Sequence, residues 1–533
     1  MPQLTTSYWP KDESEPVVDT TVGQLLRDAA ADAPDRTALI AGVPDPGQRR
    51  RWTYAELLEE SERAARALLA RFEPGERVAV WAPNIPEWVI LEMGAGLAGV
   101  VLVTVNPAYR PAELQYVLRQ SGAAGIFLVP EFRGNPMAAS LEQVRPDLEA
   151  LRDAISFDDW DDFLASGDPG RALPEVSPDD PAQIQYTSGT TGFPKGAFLH
   201  HRGIVNNARF TAQRFEVQEG DVWLNPMPLF HTGGCVLGAL GTLWARATHI
   251  PVLMFDPALV LELIETERVG VMGAVPTMLI AMMEHPTRET RDLSSLRSVV
   301  SGGSTVPADL VRRIESTLGL RFGIVYGQTE ASPVITQTRL DDTPEDKAET
   351  IGQPQPQQEV KIVSPEDGST VPPGTIGEIC SRGYNVMLGY FENPEATAET
   401  IDAEGWLHTG DLATMDERGY LRIEGRLKDM VIRGGENLYP REIEELLYTH
   451  PAVAEVAVLG IPDDTWGEEL AAVVRRAPGQ EAVTEQELRS FVRERLAPQK
   501  APKRWAFLDE LPLTPSGKIQ KFVLRERFEK GEL

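Results

Sequence analysis

A layered α/β architecture followed by a small α+β domain is expected from three observations. Apolar, β-rich runs alternate with amphipathic helical stretches over most of the chain. The texture changes near Gly425-Arg426-Leu427-Lys428, leaving about a hundred residues of mixed strand and helix signal, enough for a domain of their own. The 533 residues, 42% hydrophobic and 25% charged, are ordinary globular material and sufficient for several domains. The expected division is a large N-terminal domain over residues 1–427 and a small one over 428–533.

The elements follow in order. Thr53-x-x-Glu56 is a capping-box signature opening a helix with Leu57, Ala64, Ala65 and Leu68 on one side, and Val78-Ala-Val-Trp81 then reads as a strand. The most apolar run, residues 93–105, is too short to span a bilayer and reads as a buried helix leading into a strand. Residues 100–105 and 126–129 repeat the strand signal. The proline- and acid-rich segments 177–181 and 340–346 read as connections. In the C-terminal part Pro440 stands where a helix begins, with Ile443, Leu446 and Leu447 as its apolar stripe. Residues 453–459 and 470–474 read as strands, and Thr484-x-x-Glu487 caps a helix carrying Leu488, Phe491, Val492 and Leu496 inward. The chain has no internal repeat and no extended low-complexity tract.

The formal net charge of −29, from 51 basic and 80 acidic residues, opposes binding to nucleic acid or anionic lipid. A bound polyanion must then be held by local positive charge. The two cysteines, Cys235 and Cys380, lie far apart, so neither a disulfide framework nor a cysteine-based metal site is expected; both read as buried apolar thiols in a reducing cytoplasm. The N-terminus lacks a basic segment followed by an apolar core, so no secretion signal is expected.

The chemistry concentrates in Tyr186-Thr187-Ser188-Gly189-Thr190-Thr191-Gly192-Phe193-Pro194-Lys195-Gly196. Glycines let backbone amides approach phosphate oxygens, hydroxyls add donors and the lysine adds a point charge. Phe193 and Pro194 separate Gly192 from Lys195, so this phosphate cradle is not a Walker A loop. Read alone, it is also compatible with a flexible surface loop. Five more segments accompany it: Ser301-Gly302-Gly303-Ser304 after the apolar Val299-Val300; Tyr326-Gly327-Gln328-Thr329-Glu330; Gly405-Trp-Leu-His-Thr-Gly-Asp411; Gly425-Arg426-Leu427-Lys428 with Gly434-Gly435-Glu436-Asn437; and Pro515-Ser-Gly-Lys518.

In these motifs, and in their order, the chain resembles the adenylate-forming superfamily of acyl-CoA and aryl-CoA synthetases, luciferases and peptide-synthetase adenylation domains. The resemblance covers essentially the whole chain. Lys347-Ala-Glu-Thr-Ile-Gly352, Met387-Leu-Gly-Tyr-Phe391 and Asn437-Leu-Tyr-Pro440 look most like the medium-chain fatty acyl-CoA synthetase branch. The resemblance implies ATP, Mg²⁺ and CoA as reactants: a carboxylate attacks the α-phosphorus of ATP, and the acyl-AMP formed is then captured by a thiol.

It also implies residue roles. Lys518 would bridge carboxylate and α-phosphate, Glu330 would hold Mg²⁺, and Thr329 would contact the α-phosphate. Thr187 to Thr191, Gly192 and Lys195 would fold over the β- and γ-phosphates. Gly303, Ser304, Gly327 and Gln328 belong to the nucleotide site, with Tyr326 stacked on adenine, Asp411 accepting from the ribose hydroxyls and Arg426 touching the ribose. Taken alone, a Gly-Asp turn or an arginine at a domain edge is ordinary solvated structure. His231, in Pro228-Leu-Phe-His-Thr-Gly-Gly234, falls beside the acyl carboxylate; a core histidine is its bland alternative, and His200 and His201 read as structural. Lys428 matches the hinge about which the C-terminal domain rotates, and Gly434, Gly435 and Glu436 match the loop lining the CoA channel.

Cys235, Val236, Leu240, Gly302, Ser332 and Val334 are the acyl-pocket candidates, small or aliphatic enough for a hydrocarbon chain. The leading expectation is an ATP-dependent carboxylate:CoA ligase for an aliphatic acid. An aryl-acid ligase, an amide synthetase with an amine acceptor, an activator loading a carrier protein and a non-catalytic adenylate-binding protein stand beside it. The expected partners are the small-molecule acid and CoA, with no nucleic acid and no integral membrane segment; a homodimer is left open.

Overall fold

The computed structural model describes residues 3–187, 194–302, 308–434, 436–463, 465–513 and 519–533. Local signals establish the first helices. Thr53 Oγ1 accepts from the Glu56 amide and the Glu56 carboxylate takes the Thr53 amide, closing the capping box of helix Tyr54–Leu69. Its buried Leu57, Ala64, Ala65 and Leu68 face inward. Pro86–Ala98 is buried on nearly every side and leads into strand Val101–Thr104, as the unbroken apolar run requires.

Two large sheets dominate the N-terminal domain. The first runs Gly389–Tyr390, Lys195–His200, Pro181–Thr187, Val101–Thr104, Arg77–Trp81, Gly125–Leu128 and Asp153–Ser156. Its inner strands are parallel, and Lys195–His200 pairs antiparallel on both sides. The second has nine strands, with Arg321–Gly327, Ser298–Gly302, Val271–Gly273 and Val222–Asn225 parallel at its centre. Both carry helices whose apolar faces fill the core, Trp52, Trp88 and Phe127 among the fully enclosed side chains. A third, antiparallel sheet is built from Tyr8–Trp9, Gln358–Val363, Gly377–Gly383, Leu407–Met415 and Leu421–Arg426.

After the short turn Leu427–Asp429 a separate sheet begins, with Val431–Arg433, Glu436–Leu438, Val453–Asp463, Gly467–Arg476 and Arg504–Phe507. Its own core holds Val431, Leu438, Ile443, Leu447, Leu488 and Val492. Pro440 is the first residue of helix Pro440–Tyr448, and Thr484 Oγ1 caps Glu485–Arg493 through the Glu487 amide.

Two local expectations are corrected. Residues 340–346 are not wholly a connection: Thr343 caps helix Pro344–Glu349, whose first turn holds Glu345 and Asp346, where carboxylates favour the positive helix end. The strands expected at 453–459 and 470–474 extend to Val453–Asp463 and Gly467–Arg476, because beyond the apolar runs Pro462 still pairs with Glu468 and Asp463 with Gly467, and Arg475 and Arg476 pair with Glu455 and Val453. Among the described residues no helix is long and apolar enough to cross a membrane.

Candidate active site

The carboxyl ends of Pro181–Thr187, Ser298–Gly302 and Arg321–Gly327 carry the motif residues, where open α/β sheets bind ligands. Thr187 and Lys195 face each other in antiparallel register at the base of the phosphate motif. The Thr187 hydroxyl lies 3.5 Å from Glu330 Oε1, which also accepts a 2.7 Å hydrogen bond from the Tyr390 hydroxyl. Lys195 Nζ stands 4.9 Å above the Tyr390 ring. Glu330 is itself buried, on the short helical turn Thr329–Ala331. The preceding Gly327 is required there, since a Cβ would lie 1.9 Å from the Pro333 carbonyl oxygen, while the Gln328 amide donates to that same oxygen. Thr187, Glu330 and Lys195 therefore converge, joined by Tyr390, which was not among the expected site residues.

A second cluster joins two sheets. Tyr326 donates 2.8 Å to Asp411 Oδ2, and Arg426 Nε lies 3.0 Å from Asp411 Oδ1. Burial, then the charge of Asp411, pushes the Tyr326 phenol well above its ordinary range, so it stays protonated as a donor. Asp411 is re-aimed by an irregularity in its strand. The register passes from Glu378–Leu412 to Cys380–His408, and Gly410 takes φ +69°. The Glu378 carboxylate holds this bulge by accepting the Gly410 amide at 2.9 Å.

The turn bearing His231 is pinned by Asn84, which accepts from the Leu229 amide and donates to the Met227 carbonyl. Gly234 closes it, since a Cβ there would lie 2.2 Å from the Pro228 oxygen. His231 is exposed rather than a core residue, and its Nδ1 accepts from the Gly233 amide at 3.1 Å. The chain continues as the π-helix Gly233–Leu240, an uncommon form that recurs at functional sites. Cys235, Val236 and Leu240 are fully enclosed in one apolar cluster with Val334. Gly302 ends its strand against Val325, and the buried Ser332 Oγ faces Gly203.

Cys235 is buried in that cluster, but its sulfur also has polar partners. Gln185 donates to its sulfur at 3.1 Å and to Gln183 at 2.7 Å, and Gln183 donates at 2.6 Å to Glu92 Oε1. Burial raises both the Glu92 carboxyl and the Cys235 thiol well above their ordinary values, so this chain of groups is neutral. Cys380 likewise has a polar neighbour, His408 Nδ1 at 3.5 Å. His200 caps helix His201–Arg214 through the Gly203 amide and His201 accepts from the Val22 amide, both structural.

Lys428 lies in the turn Leu427–Asp429. Gly434 has φ +60° and abuts Trp466, and Glu436 accepts from Gln499. The expectations for Ser188, Gly189, Thr190, Thr191, Gly192, Gly303, Ser304, Gly435 and Lys518 lie outside the described residues.

The AMP-binding enzyme family model matches residues 26–391, and that of the AMP-binding enzyme C-terminal domain matches 442–518. YngI of Bacillus subtilis (strain 168), named as an acyl-CoA synthetase, is 42% identical over 540 residues, 96% of this chain and 97% of the relative. The mitochondrial medium-chain acyl-CoA ligase ACSF2 of Homo sapiens is 38% identical over 544 residues, 96% and 88% of the two chains. Among solved structures, ATP-bound MatB from Rhodopseudomonas palustris superposes with a TM-score of 0.85 at 32% identity, covering 96% of this chain and 99% of that one.

Proposed function

This chain belongs to the AMP-binding enzyme family, and we propose that it activates an aliphatic, medium-chain carboxylic acid with ATP and transfers the acyl group to CoA. It is an AMP-forming acid–thiol ligase. The acid's oxygen bonds to the α-phosphorus as the bond to pyrophosphate breaks; the CoA sulfur then bonds to the acyl carbon as AMP leaves and the thiol proton passes to solvent. Oxide is a poor leaving group, which is why the acid is first joined to phosphate.

The observation that supports this reading is the convergence of Thr187, Lys195, Glu330 and Tyr390 at the strand ends, beside the Tyr326, Asp411 and Arg426 cluster. In the proposed roles Lys195 attracts the β- and γ-phosphates, and Thr329 donates to the α-phosphate. Asp411 keeps lone pairs for the ribose hydroxyls while Tyr326 and Arg426 fix its orientation, and Tyr326 offers its ring to adenine. The donors facing one another at Glu330 and Thr187 are oxygens, which suits a hard Mg²⁺ ion completed by phosphate oxygens. Bound there, the ion would neutralise phosphate charge.

Lys518 is proposed to bridge carboxylate and α-phosphate. A unit charge about 4 Å away is worth roughly 4 kcal/mol at an effective dielectric near 20. The division at 427/428, rotation about Lys428, the channel lined by Gly434, Gly435 and Glu436, and a cytoplasmic location complete the proposal. The enclosed Cys235, Val236, Leu240 and Val334 would open into the acyl chamber, with His231 at its mouth. Acid-dependent pyrophosphate release over a panel of acids, with and without CoA, tests the reading. Release that never consumes CoA with any acid would make an amine the acceptor.

A further inference from the structure

Strand Gly377–Gly383 places Glu378 and Cys380 two residues apart, so both side chains leave the same face of the sheet. His408 is the cross-strand partner of Cys380. Its Nδ1 lies 2.8 Å from Glu378 Oε2 and 3.5 Å from Cys380 Sγ, and the three ligand-type atoms all fall within 4.8 Å of one another. Among the described residues this is the group of three or more histidine, cysteine and acidic side chains close enough to share an ion. The cluster lies on the strand that carries Asp411 and on its neighbour, and Glu378 also accepts the Gly410 amide through its other carboxylate oxygen, but none of its three side chains is among the residues expected to touch the nucleotide, the acid or CoA.

We propose that Glu378, Cys380 and His408 form a binding site for a thiophilic divalent cation, Zn²⁺ being the natural occupant for one sulfur, one nitrogen and one oxygen. Three protein ligands with a fourth position for water is a common zinc arrangement. At ordinary zinc bond lengths neighbouring ligand atoms stand roughly 3.4–3.6 Å apart. The sulfur–nitrogen spacing already matches, and the nitrogen–oxygen pair must open by about half an ångström to take the ion between its members. The outer contacts are those a ligated histidine and carboxylate require. His408 Nε2 faces Asp402 Oδ2 at 3.6 Å, and Glu378 Oε1 is anchored by the Gly410 amide. Cys380 and Glu378 are buried, whereas the His408 side chain is 32% exposed and gives the ion its entry side. Binding displaces the Nδ1 proton and the thiol proton to solvent, and the thiolate and carboxylate balance the two charges of the cation.

The full chain, stripped with a chelator, is titrated with Co²⁺ as a spectroscopic stand-in and then with Zn²⁺. One cobalt per chain, a near-ultraviolet thiolate-to-cobalt band and its loss on adding Zn²⁺ are expected. Cys380→Ser removes the band, His408→Asn weakens cobalt binding by at least about tenfold, and Cys235→Ser leaves the band in place. Mg²⁺ in excess does not displace the cobalt, which separates this site from the phosphate-side one at Glu330. Absence of the band in the wild-type chain, or a band that survives Cys380→Ser and disappears in Cys235→Ser, overturns the proposal. His408→Asn carries the test if Cys380→Ser does not fold, and unchanged cobalt affinity in it counts equally against the site.

Discussion

The Tyr390 hydroxyl donates to Glu330 Oε1 at 2.7 Å, tying a two-residue edge strand of one sheet to the turn that ends a strand of another. The carboxylate proposed to hold the metal is thereby oriented before any ligand arrives, by a phenol whose pKa burial and the Glu330 charge push upward.

Tyr390→Phe removes one hydrogen bond to a charged group, worth about 1.5–3 kcal/mol. The Mg²⁺ concentration for half-maximal pyrophosphate release should rise roughly tenfold or more, with the circular dichroism unchanged. A superimposable Mg²⁺ titration would show that Tyr390 does not position Glu330.

Lys518→Ala should depress acyl-AMP formation at least about a hundredfold, the scale of losing a charge aimed at the transition state. Thioester formation from supplied acyl-AMP should stay close to wild type. Equal losses in both half-reactions would contradict a lysine that serves activation alone.

Gly435→Leu and Lys428→Pro should leave acid-dependent pyrophosphate exchange nearly normal while slowing CoA consumption. The first places a side chain in the proposed thiol channel; the second locks φ near −65° at the proposed hinge. If both steps fall together in folded protein, the channel and hinge assignments fail.

Octanoate-sized acids should be activated better than acetate. Each buried methylene adds up to about 0.8 kcal/mol, close to fourfold in kcat/KM, until the chamber is filled. A panel led by acetate, or by ring-bearing acids alone, would reject the aliphatic assignment.

Acid should destabilise the fold through two buried histidines. Burial lowers His249 to about 3 and His201 to about 4, against about 6.5 for an unfolded histidine. His249 Nε2 accepts from Asn225 Nδ2 at 3.0 Å, so the folded ring is neutral. Between about pH 6.5 and about pH 4 the unfolded chain binds protons that the folded chain refuses, so stability falls as the pH drops, by about 1.4 kcal/mol per pH unit for each ring. Denaturant unfolding across this window should give a shallower acid slope for His249→Gln. Identical slopes would mean that His249 does not drive the loss.

Local chemistry made the elements legible. The Thr53 and Thr484 caps, Pro440 and the apolar run before Val101 each act within a few residues of themselves. The Thr343 cap was equally local but opens only a six-residue helix with no apolar stripe to mark it. At the site, motif order pointed to Asp411, Arg426 and Tyr326 and the structure brings them together, yet Tyr390 reaches Glu330 from 60 residues away, through the pairing of Gly389–Tyr390 with Phe198 and Ala197. The His408–Cys380 pairing depends on a bulge that shifts register, which no side-chain periodicity records. The Glu92, Gln183 and Gln185 chain was hidden for a similar reason, since a buried polar residue looks like an exposed one until its neighbours are known.

The π-helix Gly233–Leu240 that follows His231 would, in the proposed acyl chamber, offer a second route to a new substrate range. If Val236 and Leu240 line the acyl chamber as proposed, changing either would trim or fill it a methyl at a time. Dropping one residue from the wide turn would restore ordinary helical winding and rotate the preceding side chains by about 100° relative to those that follow. A single codon lost there would replace one set of chamber walls with another, so we expect selectivity among deletion variants on the acid panel to move in jumps, whereas point variants move it in small steps.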